Sequence, residues 1–167
     1  MDEEDRFDGD DRVAKAHELF RQAYEFQLAG KYNRAIRLYR ESIATYPTAE
    51  AHTFLGWTYS FQGQLDEAIA ECHKAIAVDP HFGNPYNDIG VYLMQKGRYD
   101  EAIPWLEKAM QAPRYEPRHF PYLNLGRIRL VKGDWLTAIK EFEKAVEIMP
   151  DDPGARKALA ELRARLN

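Results

Sequence analysis

The chain has 167 residues with 23 Lys and Arg against 27 Asp and Glu, which gives a formal net charge of −4. Apolar residues make up 45% of it and charged residues 30%. This composition is typical of a folded domain with a hydrated surface, and it excludes a wholly disordered chain. The acidic balance disfavours a nucleic-acid binder. The single cysteine, Cys72, excludes a disulfide-stapled secreted domain.

The N-terminal segment, residues 1–11, is strongly acidic, with Asp or Glu at most positions and a single Arg. Such a segment is expected to be flexible, and an acidic recognition tail is the alternative. A signal peptide would begin with Lys or Arg instead. No stretch reaches the roughly 20 apolar residues of a transmembrane helix. We therefore expect a cytoplasmic protein without a membrane partner.

Small residues recur along the chain in four columns that share the same intervals of 33, 34 and 36 residues. One column is Gly30, Gly63, Gly97 and Gly133. The other three columns are Ala23, Gly56, Gly90 and Gly126; Ala35, Ala68, Ala102 and Ala138; and Ser42, Ala75, Ala109 and Ala145. Agreement among four columns indicates four copies of one unit.

Each unit is predicted to be a helical hairpin. In the second copy, Leu65, Ala68, Ile69 and Cys72 follow the i, i+3, i+4, i+7 spacing of an apolar helix face. Gly63 supplies the positive φ that ends the first helix of this copy. Gly56, Gly90 and Gly126 are expected to face Ala68, Ala102 and Ala138, and these small residues let the two helices of a hairpin approach closely. No alternation of apolar and polar residues typical of strands is present.

The repeating residues resemble the tetratricopeptide repeat, a 34-residue motif with a W-L-G-Y…G-Y-A-F-A-P skeleton. The second copy is similar to it at Leu55-Gly56, Tyr59, Gly63, Ala68 and Pro80, and copies three and four match in the same columns. The first copy is looser at its start, and the departures are His52, Arg114 and Arg129. The resemblance covers about residues 12–152. It implies an all-α, right-handed solenoid of four hairpins.

The predicted organisation has three parts. The C-terminal segment starts at Pro153 and places Leu159, Leu162 and Leu166 on one helix face. Such a helix is expected to cap the apolar face of the last hairpin, as the end of a solenoid requires. The parts are an acidic flexible N-terminus at 1–11, four repeats at about 12–48, 49–82, 83–118 and 119–152, and a C-terminal capping helix at 153–167.

Residues 113–121, PRYEPRHFP, lengthen the connection between the third and fourth copies and contain three prolines. They cannot be helical throughout. One interpretation is a stiff spacer. The alternative is a recognition loop that uses Arg114, Tyr115, Arg118 and His119.

Catalytic and metal-binding motifs are not found in the sequence. The five histidines form no pair at metal-ligand spacing, and the phosphate-binding glycine motifs are missing. Cys72 and His73 are neighbours, but adjacent helical residues point in different directions and Cys72 lies in an apolar column. A packed cysteine is favoured over a nucleophile. We expect no catalytic residue, no metal and no cofactor.

In the resembled family, the first helix of each hairpin lines a concave groove that holds extended peptides or partner helices. The resemblance therefore implies a set of groove residues here, of which those in the first half are largely aromatic. Trp57 is predicted to be exposed, whereas Phe61 and Val131 fit either the groove or the hairpin packing. The groove residues are His17, Phe20, Arg21 and Tyr24; Glu50, Thr53, Phe54 and Trp57; Asn84, Asn87, Asp88 and Val91; and Leu123, Asn124 and Arg127.

Some members of the family bind the C-terminal carboxylate of heat-shock chaperones through a clamp of Lys, Asn and Arg. The corresponding columns hold no cation in this chain, so a carboxylate clamp is disfavoured. The sequence therefore predicts a non-enzymatic protein-interaction module or adaptor that binds an unidentified peptide or partner helix. The alternative is a structural scaffold subunit that self-assembles. A monomer or weak homo-oligomer is expected.

Overall fold

The computed structural model describes residues 3–166, with side chains from 10 to 165. Over this range it contains nine α-helices and no strand, which confirms the all-α solenoid. Consecutive helices pair as four hairpins, each hairpin packs against the next, and the ninth helix packs on the eighth. The helices are α1 (Glu3–Leu28), α2 (Tyr32–Thr45), α3 (Ala49–Phe61), α4 (Leu65–Val78), α5 (Asn84–Gln95), α6 (Tyr99–Gln111), α7 (His119–Val131), α8 (Trp135–Ile148) and α9 (Pro153–Leu166).

The turn of every hairpin contains a glycine in the left-handed region. Gly63, which follows α3, has φ +75°, and the glycines in the other three hairpin turns have φ between +69° and +75°. Residues with a Cβ rarely adopt this conformation. The predicted role of this glycine column is therefore confirmed.

The two helices of a hairpin cross closely at the other glycine column. A Cβ added to Gly56 would lie 2.9 Å from the Ala68 carbonyl oxygen of the facing helix. At Gly90 and Gly126 the obstructing groups are instead the side chains of Leu106 and Phe142, each about 2.5 Å away. The sequence analysis placed alanines opposite these two glycines. Larger side chains one turn further along the second helix fill the space there.

A polar pair joins each repeat to the next at equivalent positions. Asp66 pairs with Lys96 between the second and third repeats, and Asp100 pairs with Lys132 between the third and fourth. In the first junction the same positions hold two amides, and Gln62 Nε2 donates to Asn33 Oδ1 at 2.9 Å. The repeats therefore stack with one register along the chain.

The first helix extends further towards the N-terminus than the sequence predicted. Residues 3–11 continue α1, whereas residues 1–11 were expected to be a flexible segment. The physical reason is that adding a residue to an existing helix gains a backbone hydrogen bond at little cost. Met1 and Asp2 of that predicted segment lie outside the described residues.

The C-terminal helix caps the last hairpin. Ala155, Leu159 and Leu162 are buried against Phe142 and other apolar residues of the fourth repeat. The helix begins with a capping residue, since Asp152 Oδ1 accepts from the Ala155 amide at 2.6 Å. The capping role is therefore confirmed for Leu159 and Leu162, while the side chain of Leu166 lies outside the described residues.

We expect Leu162→Ala to lower the free energy of unfolding by about 2 to 3 kcal/mol, because it leaves a cavity between α9 and the fourth repeat. Arg156→Ala, on the exposed side of α9, is the matched control and should change stability little. Chemical denaturation followed by circular dichroism measures both values. Equal stabilities for the two variants would show that α9 does not support the fold.

Candidate functional site

The predicted groove residues lie on the first helices of the repeats, α1, α3, α5 and α7. These helices are neighbours, because α1 contacts α3, α3 contacts α5, and α5 contacts α7. Their shared surface is called the groove face below. His17 and Arg127 are exposed on it, and Asn84 and Val91 are half-buried.

Aromatic rings occupy the α1–α3 half of the groove face. Phe54 is central, with ring centroids 5.2 Å from Phe20, 5.5 Å from Tyr24 and 5.6 Å from Trp57, all edge to face. Trp57 stacks on Phe61 at 5.9 Å. These five rings form a contiguous surface, called the aromatic cluster below.

The aromatic cluster is open to solvent along one side. Tyr24 is 38% exposed, Trp57 44% and Phe61 51%. The exposure predicted for Trp57 is confirmed, and Phe61, for which two interpretations were open, is also exposed. Surface aromatics that contact one another in this way form an apolar patch of the kind that marks interaction sites.

Charged residues beside the aromatic cluster are paired within the chain. Arg21 bonds to Glu18 at 2.7 Å and also pairs with Glu25. Glu50 pairs with Arg114, which comes from the connection between the third and fourth repeats. The edge of the aromatic cluster therefore carries little uncompensated charge.

The α5–α7 half of the groove face is polar. Arg127 Nη1 donates to Asn124 Oδ1 at 3.2 Å, and Asn124 Nδ2 donates to Asn87 Oδ1 at 3.2 Å. Asn87 Nδ2 in turn lies 3.5 Å from Asp88 Oδ1. These four residues are called the polar row below. Asp88 on α5 forms one end of it and Arg127 on α7 forms the other, so the Asp88 end is nearer to the aromatic half of the groove face.

Asp88 is half-buried and takes part in no ion pair among residues 10–165. Burial raises the pKa of its carboxyl group to about 7, and the hydrogen bond from Asn87 only partly opposes this rise. The carboxylate also acts on its neighbours, because it adds to the effect of burial in raising the pKa of Cys72 and Tyr92.

Four of the predicted groove residues are buried, so the sequence analysis was wrong to place their side chains on an open surface. Thr53, Asn87 and Leu123 occupy one column of the repeat, where the first helix of each repeat packs against its neighbour. The Thr53 hydroxyl donates to the Ala49 carbonyl at 2.7 Å, and Leu123 is packed in the cluster that α9 completes. The fourth, Asn124, is held in the polar row.

The connection at 113–121 is used for packing between repeats. Tyr115 is 3% exposed and lies against Gly83 and Ala112. Arg118 donates to the carbonyl oxygens of Met110, Ala112 and Pro113 at 3.2 to 3.3 Å, and so satisfies acceptors at the end of α6.

The two other residues of the suggested recognition loop are also engaged. Arg114 pairs with Glu50 and Asp79, and its guanidinium lies 5.0 Å from the Phe82 ring. His119 is 5% exposed, with Nε2 3.8 Å from Asp152 Oδ2. These contacts favour the stiff-spacer interpretation.

A second polar group, which the sequence analysis noted only as a departure, lies between α3 and α4. His52 Nδ1 lies 2.7 Å from Glu71 Oε2, and Lys74 Nζ donates to Glu71 Oε1 at 2.7 Å. Burial opposes ionisation, yet these two partners lower the pKa of Glu71. The group joins the two helices of the second hairpin, as the aromatic residue usual at position 52 would.

Metal-ligand residues do not cluster in the described part of the chain, where no three His, Cys, Asp or Glu side chains come together. Across residues 3–166, no helix combines the length and apolar character needed to cross a bilayer. The aromatic cluster and the polar row make the groove face the candidate functional site.

Stacked helical hairpins with a small residue at each crossing define a helical-repeat protein. Models of the tetratricopeptide repeat family match residues 49–82 and 86–112, which correspond to the second and third hairpins. The chain belongs to the tetratricopeptide repeat family.

Two relatives show how far the similarity extends. The small glutamine-rich tetratricopeptide repeat-containing protein 2 of Mycosarcoma maydis is 31% identical over 103 residues, or 61% of this chain and 29% of the relative. The type IV pilus assembly protein PilF of Pseudomonas aeruginosa is 29% identical over 115 residues, or 69% of this chain and 46% of the relative. The chain thus spans less than half the length of these relatives.

Solved structures share the fold. The structure of Pseudomonas aeruginosa PilF superposes with a TM-score of 0.85 at 24% identity, covering 92% of this chain and 70% of that one. The first tetratricopeptide domain of Spaghetti (RPAP3), bound to the HSP90 peptide SRMEEVD, gives 0.64 at 22% identity, covering 71% of this chain and 93% of that one.

Cys72 should be inert in the folded protein. Its side chain is fully buried, and burial raises the pKa of the thiol well above its usual value. We expect a maleimide to label it at pH 7 only when the protein is unfolded, which mass spectrometry with and without denaturant measures. Labelling of the native protein at the denatured rate would contradict the core position.

Asp88→Asn should stabilise the protein, and only at higher pH. Since the folded-state pKa is about 7, the folded form retains a proton that the unfolded chain loses near pH 4, so stability falls as pH rises from about 4 to 7. We expect the free energy of unfolding of the variant to exceed that of the unchanged chain by on the order of 1 to 3 kcal/mol at pH 8 and by almost nothing at pH 4.

The matched control is Glu50→Gln, which removes a carboxylate that Arg114 already pairs with. It should leave stability unchanged or lower it slightly at both pH values. Urea denaturation at pH 4 and pH 8 compares the two variants. A loss of stability in Asp88→Asn at pH 8 would show that the Asp88 charge is compensated in the folded protein.

Proposed function

We propose that this protein is a non-enzymatic interaction module that binds a peptide or helix of another protein on its groove face. The observation that carries the proposal is the aromatic cluster, in which Phe20, Tyr24, Phe54, Trp57 and Phe61 form one apolar surface open to solvent. Membership of the tetratricopeptide repeat family supports it, since proteins of this family bind other proteins or peptides.

The geometry of the aromatic cluster suits a binding surface with little reorganisation. Phe54 touches three other rings edge to face, so its neighbours restrict the orientation of each ring before a ligand arrives. Aromatic side chains at the centre of an interface contribute most of the binding free energy, and a partly ordered surface loses less entropy on binding. Trp57 is the central candidate because its exposed ring lies between Phe54 and Phe61.

The ligand should present bulky apolar side chains to the aromatic cluster. The carboxylate clamp of chaperone-binding relatives is not part of the proposal, because Phe20, Tyr24 and Phe54 stand in its columns. The charges at the edge, Arg21 and Glu50, are paired within the chain. Affinity should therefore depend weakly on salt concentration. A cytoplasmic location stays a prediction from the sequence.

Trp57→Ala should weaken binding by about 2 kcal/mol or more, which is roughly thirtyfold in Kd. Since the partner is not identified, the probe is a dodecapeptide selected on the immobilised full chain from a random library. Fluorescence anisotropy measures its affinity for each variant. The selected peptides should be rich in aromatic and branched aliphatic residues.

The matched control is Trp135→Ala at the start of α8, because that ring is exposed to a similar extent, 40%, but lies away from the groove face. It should leave the affinity unchanged. If Trp135→Ala abolishes binding and Trp57→Ala does not, the ligand lies on the second helices and the groove proposal is wrong.

Self-assembly is the alternative function, and it is tested separately. Light scattering at micromolar concentration and at tenfold higher concentration should give the mass of a monomer or small oligomer for an interaction module. Mass that keeps growing with concentration would favour the scaffold subunit, with the aromatic cluster of one copy holding a segment of the next.

A further inference from the structure

Asp88 forms no ion pair with any side chain among residues 10–165, although it is half-buried. The titratable groups that its charge affects are Cys72 on α4, Tyr92 on α5 and Tyr115 in the connection, because it helps to raise the pKa of each. Within the polar row, Asp88 contacts the amide of Asn87 on its own helix, and Arg127 is bonded to Asn124 at the other end of the row. The Asp88 carboxylate therefore has an amide partner and no paired cation among the described side chains.

The charge of Asp88 also acts on two buried tyrosines. Tyr92 is 2% exposed and follows Asp88 by four residues on α5, so the two side chains share one helix face. Tyr115 is 3% exposed, and its hydroxyl makes no hydrogen bond within residues 10–165. Asp88 helps to raise the pKa of both hydroxyls, and neither tyrosine supplies a compensating positive charge.

Trp57 and Asp88 lie on adjacent first helices, and Cys72 links their surroundings. A Cβ added to Gly56, the residue before Trp57, would lie 3.6 Å from Cys72 Sγ. Asp88 helps to raise the pKa of the same thiol. Asp88 occupies the same column of the repeat as Phe54 in the aromatic cluster and Asn124 in the polar row, so it lies between them along the groove face. The carboxylate is thus placed to meet a side chain of a ligand held on the groove face.

We propose that Asp88 binds the ammonium or guanidinium group of a Lys or Arg side chain in the segment held on the groove face. This inference rests on the proposed function and specifies its ligand as an apolar anchor followed or preceded by a cation. A cation fits better than a neutral donor, because Asn87 already supplies an amide and the charge remains uncompensated. Charge-assisted hydrogen bonds are the stronger kind, and they form with carboxylates at short range.

The proposal explains why a destabilising carboxylate occupies this position. An unpaired, half-buried charge lowers the stability of the free protein, and an amide of the same shape would not. A ligand cation that pairs with the Asp88 carboxylate offsets this loss of stability, so the pairing contributes to the free energy of binding. Residues that lower stability in the free protein concentrate at functional sites for this reason.

Binding should become tighter as pH rises. In the free protein the Asp88 carboxyl has a pKa of about 7, so about a tenth of it is ionised at pH 6 and about nine-tenths at pH 8. Lys and Arg stay charged over this range. Affinity for a cationic ligand should therefore increase by up to about tenfold between pH 6 and pH 8, and binding should release protons at pH 6.

The experiment uses two peptides and the full chain. The first is the dodecapeptide selected from the random library, which should contain Lys or Arg at a fixed distance from its apolar anchor. The second replaces that cation with norleucine, which keeps the aliphatic stem and removes the charge. We expect the chain to prefer the cationic peptide by about tenfold at pH 8, and by much less at pH 6.

Asp88→Asn should bind both peptides equally at both pH values, whereas Glu107→Gln, at an exposed position on the second helix α6, should keep the preference. Titration of the Asp88 carboxyl carbon by NMR gives a second measurement, and the cationic peptide should lower its pKa. An equal affinity of the unchanged chain for both peptides, or no cation among the selected sequences, would overturn the inference about Asp88.

The outcomes separate this inference from the proposed function. If Trp57→Ala weakens both peptides and Asp88→Asn changes nothing, the groove face binds ligands but Asp88 does not select a cation. If neither variant affects either peptide, the ligand lies elsewhere and both proposals are wrong.

Discussion

The close crossing of the two helices within each hairpin is the contact on which the rest of the structure depends. At Gly56 there is space for a hydrogen atom but not for a methyl group, because the facing helix brings a carbonyl oxygen within 2.9 Å of the Cβ position. Gly90 and Gly126 admit Leu106 and Phe142 in the same way. This constraint fixes the distance between helices, and through it the position of every first helix relative to the next.

The functional surface follows from that spacing. Because neighbouring first helices lie close together, the side chains between them, Thr53, Asn87 and Leu123, are enclosed, and those one turn away remain accessible. In the first two repeats the accessible positions hold large rings that touch across the junction. In the third repeat they hold Asn84 and Val91, and in the fourth they include Arg127. The groove face is therefore divided into an apolar half and a polar half by sequence differences at equivalent positions.

Much of this was predictable from the sequence, because it depends on local spacing. The turn glycines, the crossing glycines and the apolar face of the C-terminal helix are all set by intervals along the chain. The rings of Phe54 and Trp57 were placed on the groove face by the resemblance to the tetratricopeptide repeat, whose groove columns carry over once the repeat is recognised. A column of residues is visible in the sequence whenever the repeat itself is visible.

The features that could not be predicted depend on groups far apart in the chain. Leu123 is enclosed only because α9 folds over the fourth repeat. Whether Asp88 is paired depends on where every Lys and Arg side chain lies in the folded chain. The sequence contains many such residues that could have paired with it. Likewise, Tyr115 and Arg118 looked available for recognition until their contacts with Gly83 and the end of α6 were known.

The ion pairs of Arg114 affect how the repeats unfold. In a solenoid, contacts normally join only adjacent units, so one unit can unfold while the others remain folded. Arg114, at the end of the third repeat, adds two contacts to one such junction, because it pairs with Glu50 at the beginning of the second repeat and with Asp79 at its end. The loss of either repeat breaks both ion pairs, so these contacts favour the unfolding of the second and third repeats as one block. When the chain is pulled from its ends, the outer hairpins should separate first and this block should yield last.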